Sequence, residues 1–311
     1  MKTPDKHFDI LSLGECMVEF SPVKNHQWQI GFAGDAYNTL VYASRLGMRC
    51  GFITCIGKDT FHKSLLNAIE EEKIYPVCTR TLADRQNGIY FIQTGINGER
   101  QFQYYRAQSA ATQIFKEIPV DEIIREALRS RIFYFTAVSV AIAEEREKLG
   151  DILKKIKGKT VVAFDANYRA SLWSSERVYR RVIGAILPFV DIILPSEADE
   201  RILHPECNAQ QLFPIYEKSG TLCCMKSGGI GASLIVAGVL QNIPAVKRKA
   251  IDTTAAGDAF NAGFLTGVVK KYSAMQSAKL GNAAAGIVIR HRGAIVDREA
   301  WTRERSNLPL F

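Results

Sequence analysis

The chain has 311 residues, of which 47% are hydrophobic and 23% are charged, and its formal net charge is +8. This composition predicts a globular protein with a large core, either one large domain or one domain with a smaller companion. No apolar run approaches the length of a membrane helix, and the polar first nine residues are unlike a signal peptide, so we expect no membrane partner.

The positive charge favours anionic ligands. The basic residues are scattered and their densest run, at 247–249, is short, which disfavours a nucleic-acid partner but keeps it as a rival hypothesis. None of the seven cysteines belongs to a C-x-x-C pair. We therefore expect neither a zinc site nor a disulfide framework, and we expect a reducing cytoplasmic location.

Short apolar runs alternate with helical periodicity along the chain, which predicts a doubly wound α/β sheet. The predicted buried strands are 8–13, 51–56, 131–135, 160–164, 191–194 and 222–225. The predicted helices are 38–46, 60–72, 120–128, 144–156, 177–187, 209–218, 258–271 and 274–289. An antiparallel edge is predicted from 232–236 and 239–243.

Two segments, 15–30 and 86–106, alternate apolar and polar residues, and Asn97-Gly98 is a typical hairpin turn. They predict a small sheet apart from the main one. We therefore divide the chain into an α/β body, comprising 1–14, 35–85 and 107–311, and a discontinuous β lid, comprising 15–34 and 86–106.

Residues 251–260, IDTTAAGDAF, contain the strongest functional signal. Small residues precede a helical run, so the backbone can approach a ligand, and the free N–H groups of a helix start suit a phosphate. Asp258 lies in that first turn, either as an ordinary helix-start carboxylate or as a general base beside an anion hole.

The run Asp252 to Asp258 resembles the second signature of the ribokinase-like (PfkB) carbohydrate kinases, D-T-x-G-A-G-D, with Ala255 replacing the first glycine. The resemblance implies a ribokinase-like fold and an ATP- and Mg²⁺-dependent phosphotransferase. It implies Asp258 as the catalytic base, with Ala255, Ala256 and Gly257 forming the anion hole. It also implies a possible K⁺ site near Asp252 and Thr254.

Other segments extend the resemblance to the sugar site. Residues 31–39 resemble the family's first sugar-binding segment, although a helix-capping turn is the alternative reading of Asp35. Residues 164–173 are similar to the D-x-N-x-R-x-x-L-W segment of the 2-keto-3-deoxygluconate kinases. The implied substrate-binding residues are Gly34, Asp35, Asn38, Tyr90, Tyr104, Arg106, Asp165, Asn167, Arg169 and Asp258. Two arginines suit a sugar carboxylate, and the alternative is that they form surface salt bridges.

Residues 226–231, KSGGIG, resemble the family's K-x-G-x-x-G turn after a strand, which implies the nucleotide site there, and an ordinary hairpin turn is the alternative. The sequence has neither a P-loop nor a G-x-G-x-x-G motif after its first strand. Ser196 and Asp199 replace the family's N-x-x-E, which leaves the Mg²⁺ arrangement open, and Glu197 is an alternative to Asp199. The implied nucleotide-binding residues are Ser196, Lys226, Gly228, Gly231, Gly257 and Asn282.

Together these resemblances imply a kinase that phosphorylates the 6-hydroxyl of 2-keto-3-deoxygluconate. The exposed sheet edge of the lid is expected to favour pairing into a homo-oligomer. The alternatives are a kinase of a neutral sugar or nucleoside, and a catalytically silent ligand sensor on the same fold.

Overall fold

The computed structural model describes residues 6–23, 27–94, 100–207 and 209–309. The strands are β1 (Phe8–Leu13), β2 (Met17–Pro22), β3 (Trp28–Ala33), β4 (Cys50–Ile53), β5 (Cys55–Gly57), β6 (Ile74–Pro76), β7 (Arg80–Leu82), β8 (Ile89–Thr94), β9 (Arg100–Tyr105), β10 (Ser130–Thr136), β11 (Val161–Asp165), β12 (Ile192–Ile193), β13 (Leu222–Lys226), β14 (Gly231–Val236) and β15 (Val239–Pro244). The α-helices are α1 (Asp35–Arg45), α2 (His62–Glu71), α3 (Ile114–Glu117), α4 (Val120–Leu128), α5 (Ala137–Ile142), α6 (Lys148–Ile156), α7 (Glu176–Ile186), α8 (Glu197–Leu203), α9 (Ala209–Ser219), α10 (Ala256–Val269), α11 (Ala274–Val288) and α12 (Arg298–Arg305).

The main sheet has nine strands in the order β15-β14-β13-β12-β11-β10-β1-β4-β6. The seven strands from β13 to β6 pair in parallel, whereas β14 and β15 add an antiparallel edge. The parallel strands therefore end at one edge, where α/β proteins bind ligands. The expected mainly parallel, doubly wound sheet with an antiparallel edge is confirmed.

Helices cover both faces of this sheet, which explains why its central strands read as nearly continuous apolar runs. Alternate residues of one strand enter different cores. Phe133 belongs to the core that contains residues of α4, α6, α7 and α9, whereas Tyr134 belongs to the core that contains residues of α1, α2, α10 and α11. The same alternation separates Cys223 from Cys224, and both thiols are buried.

The lid is a separate four-stranded sheet in the order β3-β2-β8-β9. Its strands lie within the two segments predicted to form it. The alternation gives it two faces: Glu19 and Tyr90 are register partners on one face, and Phe20 and Phe91 stack on the other. The predicted Asn97-Gly98 turn lies outside the described residues.

Several predicted boundaries were wrong. The strand predicted at 51–56 divides into β4, which pairs with β1 and β6, and β5, which pairs with β7. The helix predicted from residue 144 begins only at Lys148, because Glu145 has a φ of 55°, which a right-handed helix does not permit. The short helices α3, α5, α8 and α12 were not predicted. Within the described ranges, no helix has the length and hydropathy needed to cross a membrane.

Candidate active site

A cavity of about 1040 Å³ lies between the lid and the carboxyl ends of the parallel strands. Most of the site residues predicted from distant segments of the sequence line this cavity. Those that line it are Gly34, Asp35, Asn38, Tyr90, Tyr104, Arg106, Asp165, Asn167, Arg169, Ser196, Lys226, Gly228, Asp252, Thr254, Ala255, Gly257 and Asp258.

Asp258 is buried in the first turn of α10, and its Oδ2 accepts a hydrogen bond of 2.8 Å from Asn38 Nδ2. Burial raises the pKa of Asp258 to about 7, and the nearby Asp35 carboxylate adds to the rise. The Asn38 bond and the Lys226 charge oppose it. A carboxyl group with a pKa near neutrality is well matched to general-base work.

The chain enters α10 through Ala255, which has a φ of 59° and occupies the N-cap position. A non-glycine residue rarely adopts this left-handed conformation, which fits the glycine that the family motif usually has there. Gly257 is exposed to the cavity, and a Cβ atom there would meet Lys226 Nζ as its nearest neighbour, at 3.8 Å. Ala255 and Gly257 thus line the cavity, whereas Ala256 does not.

The turn before α1 requires glycine at position 34, because a Cβ atom there would lie 2.2 Å from the backbone oxygen of Glu15. Gly34, and not Asp35, is the N-cap of α1. Asp35 Oδ2 instead accepts a 2.7 Å bond from Asn167 Nδ2, while Asp165 Oδ1 accepts from Asn167 N. These bonds join the start of α1 to the end of β11.

The two arginines have different surroundings. Arg106 is buried, forms an ion pair with Glu15, and lies over the Tyr104 ring at 4.3 Å from its centroid. Arg169 is exposed, and its Nη1 donates to the backbone oxygen of Tyr168 at 3.1 Å. Neither arginine forms a surface salt bridge with another residue that the structure describes.

Tyr90 reaches the cavity from β8, and its hydroxyl donates to Glu19 on β2. Its ring packs against Tyr104 with centroids 5.5 Å apart. Burial raises the pKa of both phenols. The lid thus contributes neutral hydroxyl groups and ring faces to the cavity wall.

Two buried residues beside the cavity were not selected from the sequence. Asn261 donates to Asp165 Oδ2 at 2.7 Å and accepts from Lys226 Nζ at 3.1 Å. Its position one helical turn after Asp258 was the available signal. Glu15 lies just beyond β1, which ends at Leu13, so its place after the carboxyl end of a strand was the corresponding signal. Burial raises the pKa of Glu15, and the Arg106 charge opposes the rise.

Lys226 lies at the end of β13, where its Nζ contacts Asp165 Oδ1 at 3.0 Å. Ser196 begins α8 with a capping box, in which Asp199 Oδ2 accepts from both the N and Oγ of Ser196. Asp199 Oδ1 accepts a further bond from the backbone of Tyr168. Glu197, considered as a substitute for Asp199, points to Arg201 instead, at 2.6 Å.

Two of the residues expected to bind nucleotide do not line the cavity. Asn282 Nδ2 donates to the carbonyl oxygens of Ile243 and Pro244, which fastens α11 to β15. Gly231 has a φ of 125°, and a Cβ atom there would lie 2.1 Å from the Ile243 oxygen. Both residues hold the antiparallel edge in place. This role was not predicted from the sequence for either of them.

Asp252 is buried and links two loops. Its Oδ1 accepts from the N and Oγ1 of Thr254, and its Oδ2 accepts from Gly293 N at 2.6 Å. Across the described part of the chain, no three His, Cys, Asp or Glu side chains form a group able to hold a metal ion. The K⁺ assignment of Asp252 and Thr254 stays a prediction.

The chain matches the pfkB family of carbohydrate kinases over residues 8–301. It is 34% identical over 305 residues to 2-dehydro-3-deoxygluconokinase of Escherichia coli K12, covering 94% of this chain and 98% of the relative.

Two solved structures are similar to this one. The 2-dehydro-3-deoxygluconokinase of Thermotoga maritima has a TM-score of 0.82 at 18% identity, covering 96% of this chain and 99% of that chain. The sugar kinase PH1459 of Pyrococcus horikoshii, solved with ATP, has a TM-score of 0.76 at 26% identity, covering 92% and 93%. The family match covers nearly the whole chain and agrees with a buried carboxylate at the start of α10, opposite a β lid. This protein therefore belongs to the pfkB family of carbohydrate kinases, which are phosphotransferases with an alcohol group as acceptor.

Proposed function

We propose that this kinase transfers the γ-phosphoryl group of ATP to the 6-hydroxyl of 2-keto-3-deoxygluconate, also named 2-dehydro-3-deoxygluconate. The observation that carries the proposal is one cavity that holds a buried base, Asp258, together with two arginines, Arg106 and Arg169. The base suits an alcohol, and the arginines suit a carboxylate. The E. coli relative that bears this substrate in its name supports the same assignment.

The chemical step follows from Asp258. Its carboxylate takes the proton of the substrate's terminal hydroxyl as the oxygen forms a bond to the γ-phosphorus and the bond to the β-phosphate oxygen breaks. The Asn38 bond fixes the orientation of the carboxylate. A pKa of about 7 leaves a large fraction ionised at neutral pH.

The transferring group carries negative charge that the protein must stabilise. The N–H groups at the start of α10, from Ala255 to Gly257, and the positive end of the helix dipole serve this purpose in our proposal. Lys226 adds a positive charge whose position Asp165 and Asn261 fix. Positioning of this kind supplies most of the rate advantage in phosphoryl transfer.

We propose that Mg²⁺ accompanies the nucleotide, where it neutralises phosphate charge. Mg²⁺ usually keeps several waters and uses few protein ligands beside substrate phosphates. Ser196 and Asp199 line the cavity and fit contact through water, because the Asp199 oxygens already accept hydrogen bonds from the protein. Asp252 and Thr254 are the proposed contributors to a monovalent-cation site.

We also propose pairing of two copies through the lid. Trp28, Ile30 and Tyr105 are 44%, 50% and 57% exposed on the lid strands, and Trp28 and Tyr105 both contact Phe91 on one face. Burial of such side chains favours association. Sedimentation of the wild type and of Ile30→Asp would test this, with loss of the dimer in the variant as the expected result.

ADP release with Mg·ATP tests the substrate assignment. The substrates are 2-keto-3-deoxygluconate, its galactonate epimer, fructose, ribose and adenosine, each assayed alone, and Asp258→Asn is the control. We expect turnover of the keto-deoxy acid and a fall of about 10²–10⁴-fold in kcat in the variant. Turnover of fructose or ribose alone would show that the substrate is a neutral sugar and not an acid. Absence of ADP release with every substrate would favour a ligand sensor.

A further inference from the structure

Glu15 and Arg106 occupy the two places where the chain passes between the main sheet and the lid. Glu15 lies between the end of β1 in the body and the start of β2 in the lid. Arg106 follows β9, the last lid strand. Their side chains meet across 91 positions of sequence, in the wall of the substrate cavity.

The pair is almost completely removed from solvent, with 8% of the Arg106 side chain and 1% of the Glu15 side chain exposed. Arg106 Nη1 donates to Glu15 Oε1, and the guanidinium group also covers the Tyr104 ring. Breaking a buried ion pair by removing one partner leaves an uncompensated charge, so each group strongly constrains the other.

The pair leaves hydrogen-bonding capacity unused. Arg106 Nε and Glu15 Oε2 are buried without a partner among the described residues. A buried donor without an acceptor destabilises the folded protein, and an acidic ligand oxygen that accepts from it would remove that cost.

A second arginine with a nearly buried side chain, Arg45, shows what a purely structural pair is like. Arg45 uses Nε and Nη2 in a fork to Glu72 and donates from Nη1 to the Val296 oxygen. All three of its nitrogens are therefore occupied by the protein. Among the described residues, Arg106 uses only Nη1 for a hydrogen bond and lies in a cavity wall, which is the arrangement of an arginine kept available for a ligand.

We propose that Glu15 is a positioning residue for the acid end of the substrate. It holds Arg106 in the cavity wall through one nitrogen and leaves the remaining donors for the substrate carboxylate. The inference rests on the proposed function, since it assumes an acidic substrate. Without Glu15, the uncompensated guanidinium group is expected to turn toward solvent and withdraw its donors.

The test measures kcat, the KM for 2-keto-3-deoxygluconate and the KM for Mg·ATP in wild type, Glu15→Gln, Arg106→Gln and the double variant. Glu15→Gln is expected to raise the KM for the sugar acid about 10-fold or more, the loss typical of a charge-assisted bond, with the KM for Mg·ATP within about 2-fold of wild type. Because Glu15 acts through Arg106, adding Glu15→Gln to Arg106→Gln is expected to cause little further change.

Glu72→Gln is the matched control, because it weakens the Arg45 pair outside the cavity. It is expected to lower the melting temperature and leave the KM for the sugar acid unchanged. Glu15→Asp keeps the charge and is expected to lie between wild type and Glu15→Gln, which preserves the test if Glu15→Gln does not fold. A wild type that phosphorylates the acid while neither Glu15 variant raises its KM would overturn this inference alone. Additive effects in the double variant would also overturn it, whereas a wild type inactive on the acid would overturn the proposed function as well.

Discussion

Asn38 and Asp258 are 220 positions apart in sequence, yet the Asn38 amide donates a 2.8 Å hydrogen bond to the Asp258 carboxylate. The bond joins the first turn of α1, on the proposed sugar side of the cavity, to the first turn of α10. Burial and the nearby Asp35 and Asp165 carboxylates disfavour the charged form of Asp258. The Asn38 bond and the Lys226 charge favour it. The state of the proposed base therefore depends on a residue from the opposite end of the chain.

The first prediction concerns the pH dependence of activity. Asp258 has a pKa of about 7 and is proposed to act as a base when ionised, so kcat/KM should rise with pH through about 7. Asn38→Ala removes a bond that lowers this pKa, so the rise should move to higher pH. Asn242→Ala, on an exposed residue of β15, should leave the profile unchanged. A profile of Asn38→Ala that coincides with that of wild type would contradict the assignment.

A second prediction links the same carboxyl group to stability. Its folded pKa is raised above the ordinary value of 3.8, so the native state retains a proton that the unfolded state releases between about pH 4 and 7. The stability contributed by this group is complete below pH 4 and is lost as the pH rises through 7. Asp258→Asn should therefore raise the melting temperature more at pH 8 than at pH 5, as measured by calorimetry, and an equal change at both values would count against the raised pKa.

The third prediction separates an acidic substrate from a neutral one. Arg169→Ala should raise the KM for 2-keto-3-deoxygluconate about 10–100-fold, because a charge-assisted bond is worth about 1.5–3 kcal/mol. Arg177→Ala, an exposed arginine in the first turns of α7, is the control and should have no effect on that KM. Steady-state kinetics would decide, and an unchanged KM in Arg169→Ala would remove this arginine from the substrate site.

A fourth prediction concerns Asn261, whose contacts with Asp165 and Lys226 are seen in the structure and were not predicted from the sequence. Asn261→Ala would leave Asp165 and Lys226 each without one buried partner. The expected loss is about 1–3 kcal/mol in the free energy of unfolding, measured with denaturant. Asn242→Ala should stay within about 0.5 kcal/mol of wild type, as surface substitutions usually do. Equal stabilities of the two variants would show that the buried network contributes little.

The last prediction addresses the left-handed residue before α10. Ala255→Gly should raise stability by about 0.5–1 kcal/mol, because relief of the left-handed conformation outweighs the added freedom of the unfolded chain. Ala283→Gly, within α11, should lower stability by about 0.5–1 kcal/mol. If both substitutions destabilise the protein equally, strain at Ala255 is not significant.

Much of the fold was accessible from the sequence because its signals are local. Buried parallel strands produce apolar runs, as in β1 and β10, and the half-exposed lid strands produce alternation instead. Helix starts were harder to predict. The start of α8 depends on a capping box between Ser196 and Asp199, two residues that the sequence suggested only as replacements for the family's N-x-x-E. The break in 51–56 was also missed, because its two halves differ only in their pairing partners.

Patterns among neighbouring residues were enough to predict the layered α/β architecture, the lid segments and the residues around Asp258, because hydrophobic periodicity and short motifs are local properties. The contacts of Glu15 with Arg106, of Asn261 with Asp165 and Lys226, and of Asn282 with the sheet edge became visible in the folded protein alone. Those pairings depend on which strand ends the topology brings together, and contacts over tens to hundreds of residues leave no periodic signal in the chain.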